Sequence, residues 1–472
     1  MPKNICIIGA GPGGYVAAVR SAQLGNNVTL IEKENLGGTC LNHGCIPSKI
    51  MKTASQLMEQ AQNFTDFGLI LKEPPEFDMK KLQEKKKKII EIQQKGIEEL
   101  LEHENIKVIK GTAYIKSPTE ISVKNTETKN QTLSFDRLII AAGTKTSELD
   151  QMKFDHKDIL SSDDLLELDY VPESIAITGG GIIGCEFASI LNGLGSEVTL
   201  IEYADRILPL DNLDTDISKA LAREYKKKKI KVFTNALGSI IKKDETGFLL
   251  EIKPRNPKKK NQEIKCSKIA VCTGRTSLAD TMGIYNAGIE TDENGWMKTD
   301  KNYQTSCKNI FAIGDILGPK HSMLAHTASF EGRVCAEYIS DNNFTYFDYE
   351  KIPGAIFTSP EIGFIGLSEK AARDKGFDVL KEKILFRTSA KAHAIGEING
   401  EIIITADKNT KIILGIHIIG PHASDLLGEA SIAVQRNISF TELANIVHAH
   451  PTLSEIIMET GLKLSGAGIH GK

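Results

Sequence analysis

The sequence of 472 residues has no hydrophobic run long enough to cross a membrane, and it carries little net charge. A spanning helix needs about 20 consecutive apolar residues, and no stretch of this chain approaches that length. The formal net charge of −3 at pH 7 gives no reason to expect nucleic acid or a membrane surface as a partner. The first apolar strand is predicted to begin at Asn4, which leaves no room for a signal or transit peptide. We therefore expect a cytoplasmic protein, unless the chain is a processed form.

Cysteine is scarce, and its spacing excludes a common type of metal site. A structural zinc site would need two closely spaced pairs, and no C-x-x-C pair accompanies Cys40 and Cys45. We therefore predict no metal. The other cysteines lie mostly in apolar strands or helices and are interpreted as small core residues.

The chain does contain one glycine pattern twice, 170 residues apart. The segments 4–32 and 174–202 align without a gap, and each runs from an apolar strand through Gly-x-Gly-x-x-Gly and a helix to a second strand. Each second strand ends in a glutamate 23 residues after the first glycine. The two sets are Gly9, Gly11, Gly14 and Glu32, and Gly179, Gly181, Gly184 and Glu202.

This pattern is typical of dinucleotide-binding α/β units. Its glycines allow a tight turn, a close approach of the pyrophosphate and close helix–strand packing, and the acid accepts hydrogen bonds from ribose hydroxyls. The alternative is a duplicated structural turn with one or both sites empty. Because both copies have the full strand, loop, helix and acid context, we predict two dinucleotide sites and electron transfer between the two ligands.

Cys40 and Cys45 stand in a segment rich in Gly, Thr, Asn, His and Pro, directly after the first pattern. A helix is predicted to begin at Ile46, and helix N-termini lower the pKa of nearby thiols. On one helical turn the two sulfurs could close a small ring that opens and shuts as a redox couple. A permanent structural disulfide is the alternative, but a loop this short would stabilise the fold little.

The order of motifs along the whole chain resembles the pyridine nucleotide–disulfide oxidoreductase family. The motifs are GGTCLNHGCIPSK (37–49), AAGT (141–144), TGR (273–275), FAIGD (311–315), MLAHTAS (323–329) and HAHPTLSE (448–455). The sequence departs from the family pattern at His43, where a small apolar residue is usual, and at 276–278.

The resemblance implies an α/β fold with two doubly wound Rossmann-like domains and a C-terminal α+β dimerisation domain. The expected domains are an FAD-binding domain with a central part (1–149 and 275–348), an NAD-binding domain (150–274) and an interface domain (349–472). Within them we predict a polar helix from Met79 to His103, a turn at 111–113, a strand at 137–142, strands at 402–406 and 412–419, and a helix from Ala423 to Arg436.

The resemblance also implies which residues bind each cofactor. FAD would occupy the first site, with Glu32 on its adenosine ribose and Lys49 near flavin N5; Glu186 would pair with Lys49, although a helix acid is more often solvated. Ala113, Asp315 and Ala325 would contact the same cofactor. NAD would occupy the second site, because Glu202 would repel a 2′-phosphate and Arg206 is the one nearby arginine. Leu237 and Gly274 would complete that pocket.

The residues alone do not choose between His448 and His450 as a catalytic base. The resemblance selects His450, oriented by Glu455, and implies a homodimer in which this histidine reaches the disulfide of the other subunit. Cys40 would exchange with substrate, and Cys45 would face the flavin.

The activity implied is oxidation of protein-bound dihydrolipoamide by NAD⁺. The partners would be lipoyl domains and the core subunit of a 2-oxoacid dehydrogenase complex, or the lipoyl carrier of glycine cleavage. A related NAD(P)H-dependent disulfide reductase is one alternative, and a degenerate flavoprotein with a binding role is another. The second would be expected to lack Cys40, Cys45 or His450, and all three are present.

Overall fold

The computed structural model describes residues 1–125, 130–341 and 348–471. Its strands, in chain order, are β1 (Asn4–Ile8), β2 (Asn27–Glu32), β3 (Lys107–Lys110), β4 (Thr112–Ser117), β5 (Glu120–Lys124), β6 (Gln131–Ser134), β7 (Arg137–Ile140), β8 (Thr144–Thr146), β9 (Ile159–Leu160), β10 (Ser174–Thr178), β11 (Glu197–Ile201), β12 (Lys231–Phe233), β13 (Ala236–Asp244), β14 (Gly247–Pro254), β15 (Gln262–Cys266), β16 (Lys268–Val271), β17 (Arg275–Ser277), β18 (Ile310–Ala312), β19 (Gly354–Ile356), β20 (Glu361–Gly366), β21 (Val379–Leu385), β22 (Glu401–Asp407) and β23 (Ile413–Gly420).

The helices, likewise in chain order, are α1 (Pro12–Gln23), α2 (Gly38–His43), α3 (Cys45–Ala61), α4 (Met79–His103), α5 (Ser162–Glu167), α6 (Ile182–Gly193), α7 (Thr215–Lys227), α8 (Ala325–Asp341), α9 (Glu369–Asp374), α10 (Ala390–Ala394), α11 (Ala423–Gln435), α12 (Phe440–Ala444) and α13 (Glu455–Leu464). No helix in the described ranges is both long and apolar enough to cross a membrane.

The first of two compact units consists of Met1–Ile50, Lys80–Ser147 and Arg275–Tyr349. Its central sheet is parallel and has the strand order β18-β7-β1-β2-β3. Side chains of these strands, such as Ile7, Leu30 and Ile139, are fully buried in the core. Helices α1 and α8 can pack closely because Gly332 has no side chain: a Cβ there would lie 2.3 Å from the carbonyl oxygen of Gly13.

The second unit consists of Met51–Met79, Glu148–Gly274 and Glu350–Lys472. It contains a parallel sheet of order β12-β11-β10-β16-β9 and an antiparallel sheet of order β19-β20-β23-β22-β21. The parallel sheet repeats the arrangement of the first unit: in each, the strand before the glycine loop is central, with the acid-bearing strand on one side. The expected α/β class with two dinucleotide-binding folds is thus confirmed, whereas the finer domain boundaries stay a prediction.

Most of the predicted elements are present, and one prediction is wrong in part. The helix Met79–His103 is found as predicted, and the helix predicted from Ala423 ends at Gln435, one residue early. The strands predicted at 137–142, 402–406 and 412–419 correspond to β7, β22 and β23. Of the predicted turn at 111–113, Gly111 forms a bend between β3 and β4, whereas Thr112 and Ala113 already belong to strand β4. That strand belongs to a separate antiparallel sheet of order β4-β5-β6, because alternate residues of β4 are buried against β5.

Candidate active site

The first glycine loop closes the turn from β1 to α1 and leaves space for a ligand. Gly9 has a φ of +98°, and a side chain there would meet the Ala141 carbonyl oxygen at 2.4 Å. A Cβ on Gly14 would lie 1.8 Å from the Gly9 oxygen, whereas the nearest atom to a Cβ on Gly11 would be 4.0 Å away. The two outer glycines are therefore required by packing, and the middle one lets a pyrophosphate approach the backbone.

The second glycine loop has almost the same geometry. Gly179 has a φ of +104°, and a side chain there would meet the Cys272 carbonyl oxygen at 2.4 Å. A Cβ on Gly184 would lie 1.9 Å from the Gly179 oxygen, and one on Gly181 would meet no atom within 4 Å. The sequence repeat is therefore also a structural repeat, and each loop forms a cradle that a side chain on its middle glycine would fill.

The acid of each pattern is fixed at the rim of its loop. Glu32 accepts hydrogen bonds from the Ala10 and Glu34 N–H groups at 2.7 and 2.8 Å. In the second unit, Glu202 accepts them from the Gly180 and Ala204 N–H groups at 2.5 and 2.6 Å. A carboxylate oxygen has two acceptor sites, so each can still accept from a ribose hydroxyl. The residues present therefore fit a dinucleotide at both loops.

Cys40 and Cys45 lie on two consecutive helices rather than on one helical turn. Cys40 is in α2, Cys45 is the first residue of α3, and Gly44 between them has the non-helical angles φ −149° and ψ −110°. The expectation of a single turn is wrong in this detail, because Gly44 interrupts the helix. The two side chains are nevertheless in hydrogen-bonding contact as thiols.

The pKa of Cys40 is raised, not lowered as helix N-termini led us to expect. The hydrogen bond with Cys45 is the main cause and burial the second, while the positive charge of Lys49 acts in the opposite direction. Cys40 therefore keeps its proton to a higher pH than a free thiol does.

The segment that carries the two thiols packs directly on the first glycine loop. The Gly37 N–H donates to the Ala10 carbonyl at 2.9 Å, and a Cβ on Gly38 would lie 2.6 Å from the Gly11 Cα. Both contacting residues of the segment have positive φ, +88° for Gly37 and +56° for Gly38, which favours glycine. The predicted redox pair is thus tied to the first glycine loop by backbone contacts.

Two polar residues that the sequence did not single out hold this segment. Asn42 is buried, and its amide donates to the carbonyls of Leu36 and Gly38 at 3.0 and 2.9 Å. Its oxygen accepts from Gln94 of α4 at 2.5 Å. The position of Asn42 between the cysteines was a usable signal, but nothing in the sequence pointed to Gln94, 52 residues away.

Lys49 and Glu186, the predicted pair near the flavin, belong to different units. Lys49 lies in α3, where its ammonium donates to Ser48 Oγ at 3.4 Å. Glu186 is only 7% exposed and accepts a hydrogen bond from the Phe357 N–H at 2.9 Å. The general expectation of a solvated helix acid is therefore wrong for Glu186, while its pairing with Lys49 stays a prediction.

Three of the family-like motifs meet in the first unit. Asp315 follows β18. The pKa of its carboxyl group is raised, because the effect of burial exceeds the opposite effect of the nearby Arg275. The Arg275 side chain donates to the Thr144 Oγ1 and carbonyl oxygen at 2.7 and 3.0 Å, which joins TGR to AAGT. Ala325 is the first residue of α8.

The remaining predicted contact residues have the following positions. Ala113 is buried in β4 of the first unit. In the second unit, Leu237 is 51% exposed in β13, and Gly274 follows β16 with a φ of +134°. Leu237 adjoins Ala236, whose N–H donates to the Glu202 carbonyl at 3.0 Å, so it lies beside Glu202.

The structure distinguishes the two candidate histidines. His448 is 6% exposed in its side chain, with Nδ1 on the Ile446 carbonyl at 2.9 Å and Nε2 on Glu429 at 2.7 Å. His450 is 71% exposed, and its Nδ1 bonds Glu455 at 2.9 Å. Only His450 therefore combines an oriented ring with an accessible face, which is what a base for an external substrate needs.

Glu455 is held as the orienting carboxylate. Burial disfavours its charged form, but the Thr452 N–H, at 2.8 Å, and the His450 ring donate to it, and the net result is a lowered pKa. A carboxylate that stays ionised fixes Nδ1 as the protonated nitrogen and leaves Nε2 as the acceptor for a proton.

If the first loop holds FAD and the second NAD, as the resemblance implies, adding a methyl group at the third glycine of either loop should weaken the binding of one nucleotide and leave the other bound. In Gly184→Ala the new Cβ would lie 1.9 Å from backbone, so the second loop must open, and we expect NADH binding to weaken at least about tenfold. Flavin content should not change. Gly14→Ala should have the reverse effect, and both can be read from flavin absorbance and NADH calorimetry.

Gly96→Ala is the matched control, since a Cβ at this position of α4 meets nothing within 4 Å. It should bind both nucleotides like the wild type. Equal loss of flavin in Gly14→Ala and Gly184→Ala would contradict two independent sites.

Family models match most of the chain. One described as pyridine nucleotide-disulphide oxidoreductase matches residues 3–332, and one described as the dimerisation domain of the same family matches residues 352–460. The second match covers the antiparallel sheet and the His450–Glu455 pair.

Curated relatives match over nearly their whole length. A dihydrolipoyl dehydrogenase of Geobacillus stearothermophilus is 38% identical over 98% of this chain and 96% of its own. One of Haloferax volcanii is 34% identical, with 99% and 97% covered. A leghemoglobin reductase of Glycine max is 35% identical, with 98% and 87% covered.

Solved structures share the fold. LpdA from Mycobacterium tuberculosis has a TM-score of 0.89 at 24% identity, covering 98% of this chain and 99% of its own. The flavoprotein disulfide reductase RclA from Escherichia coli has a TM-score of 0.85 at 23% identity, with 98% and 99% covered.

Proposed function

Since the chain belongs to the pyridine nucleotide-disulphide oxidoreductase family, we propose that it oxidises protein-bound dihydrolipoyl groups with NAD⁺. The observation that carries the proposal is the contact between the Cys40 and Cys45 thiols on a segment packed against the first of two matching dinucleotide loops. The full-length similarity to dihydrolipoyl dehydrogenases supports this substrate over those of other disulfide reductases.

FAD and NAD are the cofactors of this family, and both loops fit a dinucleotide. When bound, they supply the redox chemistry: the flavin takes the two electrons of the dithiol, and NAD⁺ accepts them as hydride. We propose that the first loop, Glu32, Asp315, Ala113 and Ala325 hold FAD, because the redox segment packs on that loop. Lys49 and Glu186 would adjoin the flavin.

The second loop is proposed to hold NAD through Gly179, Gly181, Gly184 and Glu202, with Leu237 and Gly274 at its edge. Glu202 would accept from a free 2′-hydroxyl and repel a 2′-phosphate. Arg206, the nearby arginine, instead donates to the Leu210 carbonyl at 2.7 Å. This contact directs its guanidinium into the chain and supports NAD over NADP.

Thiol–disulfide exchange at Cys40 and Cys45 would carry out the substrate half of the reaction. The reaction starts from the oxidised protein, in which Cys40 and Cys45 form a disulfide. His450 takes a proton from one dihydrolipoyl thiol, and the thiolate attacks Cys40, which breaks the Cys40–Cys45 bond and releases Cys45 as a thiolate. The second substrate thiol then attacks the mixed disulfide and releases the cyclic disulfide product, with Cys40 leaving as a thiol. The cysteine pair thereby gains two electrons, one substrate proton lies on His450 and the other on Cys40, in keeping with the raised pKa of Cys40.

We propose that a homodimer completes the site. The dimerisation-family segment 352–460 contains His450, and in this proposal His450 of each subunit serves the dithiol of the other, oriented by Glu455. The physiological partners would be lipoyl domains and the core subunit of a 2-oxoacid dehydrogenase complex, or the lipoyl carrier of glycine cleavage. A cytoplasmic site of action would suit a cycling dithiol, because that compartment is reducing.

The test is NAD⁺ reduction by dihydrolipoamide with the purified protein, alongside glutathione and NADP⁺. We expect turnover on the order of 10–10³ s⁻¹ with dihydrolipoamide and NAD⁺ alone. NADPH-dependent reduction of another disulfide, with no activity on dihydrolipoamide, would refute the substrate and the role of Glu202 but leave the family membership intact.

A further inference from the structure

The fold brings a second arginine to the rim of the second glycine loop, more than fifty residues along the chain from Glu202. Arg255 follows β14, and its guanidinium carbon lies 4.3 Å from the ring centroid of Tyr203, the residue directly after Glu202. A cation at this distance over a tyrosine ring is held by the ring quadrupole.

Backbone hydrogen bonds fix this placement. The Arg255 N–H donates to the Asn235 carbonyl at 2.7 Å, and the Asn235 N–H donates to the Ala204 carbonyl at 2.7 Å. The Ala204 N–H in turn donates to the Glu202 carboxylate. Three successive contacts therefore connect Arg255 to the acid that marks the ribose site.

Two large, partly apolar side chains near Glu202 are exposed. Tyr203 is 53% exposed and Leu237 51% exposed, although both are large and lie next to residues hydrogen-bonded at the loop. Glu202 itself is buried, with both oxygens held by backbone N–H groups. A ribose bound at Glu202 would thus carry its base onto these side chains.

We propose that Arg255 and Tyr203 form the adenine platform of the NAD site, with the guanidinium plane and the phenol ring as stacking surfaces for the base. Arginine suits this role because its planar, delocalised cation stacks on aromatic rings, which an ammonium does not do. Arg255 is then a residue that favours adenosine-containing ligands, distinct from Glu202, which reads the ribose. This proposal rests on the assignment of the second loop to NAD.

The experiment is calorimetric binding of ADP-ribose to the flavin-loaded protein, which requires no substrate. Arg255→Ala should weaken binding about three- to tenfold, and Arg255→Lys nearly as much, because it keeps the charge and loses the plane. Tyr203→Ala should weaken it similarly. Lys258→Ala, which removes an exposed charge three residues further along the same loop, is the matched control and should bind like the wild type.

In steady-state assays Arg255→Ala should raise KM for NAD⁺ and leave kcat unchanged. Wild-type affinity in both Arg255→Ala and Tyr203→Ala would overturn the proposal, and wild-type affinity in Arg255→Lys would overturn the stacking role. If the wild type itself did not bind ADP-ribose, the NAD assignment would be wrong and the platform with it. Dihydrolipoamide oxidation coupled to an artificial acceptor tests the proposed activity separately.

Discussion

Cys45→Ser is expected to reduce NAD⁺ reduction by dihydrolipoamide by at least about 10³-fold, since the exchange reaction needs two sulfurs that can form and break one bond. Cys45 begins α3, and its thiol is in hydrogen-bonding contact with Cys40. Serine keeps the polar contact and the helix start but cannot be reduced or oxidised. Electron transfer from NADH to an artificial dye bypasses the dithiol and should persist. Steady-state rates of the two reactions on one preparation provide the measurement.

Cys307→Ser is the matched control. Cys307 is also half-buried in the first unit, and its thiol donates to Asn309 at 3.2 Å, which a hydroxyl can reproduce. This variant should keep both activities. Dihydrolipoamide turnover in Cys45→Ser at a rate close to the wild type would refute the redox role of the pair.

His450→Ala is expected to lower kcat/KM for dihydrolipoamide by roughly 10²–10⁴, the usual loss when a general base is removed. The physical reason is the exposed imidazole that Glu455 orients through Nδ1, which leaves Nε2 to accept a thiol proton. Flavin content and NADH-to-dye transfer should not change, because both depend on other residues. Glu455→Gln should cause a smaller loss, since an amide can still contact the ring but does not supply a charge.

His393→Ala is a suitable control, because this exposed histidine of α10 bonds only a local carbonyl, that of Arg387, among the contacts described. His448→Ala distinguishes the alternative. Its ring is buried between Ile446 and Glu429, so the variant should lose stability rather than chemistry. If His448→Ala remained folded and lost turnover while His450→Ala retained it, the base would have to be reassigned.

Much of the architecture followed from local patterns. Each glycine loop could be predicted because strand, loop, helix and acid occupy one continuous stretch, and the steric demand on Gly9 and Gly14 arises within a few residues of the loop or from one adjacent strand. The helix Met79–His103 was predicted with its bounds, since a long polar segment with helical periodicity has few other solutions.

Local patterns were insufficient where partners come from distant segments. The thiol pair was predicted from spacing, but the break at Gly44 and the raised pKa of Cys40 depend on packing and on the neighbouring sulfur. Ala113 was assigned to a turn but lies in β4, where it pairs with Val123 of β5.

The sequence by itself identified the family and predicted the two dinucleotide sites and the redox pair, because each is written in contiguous motifs whose residues interact with near neighbours. Only the tertiary structure showed that His448 is buried and His450 exposed, that Glu186 is buried, and that the Arg206 side chain bonds the Leu210 carbonyl. It also brought Arg255 to Tyr203. Burial and side-chain direction are set by segments far apart in the chain, and a motif carries no information about what will pack against it.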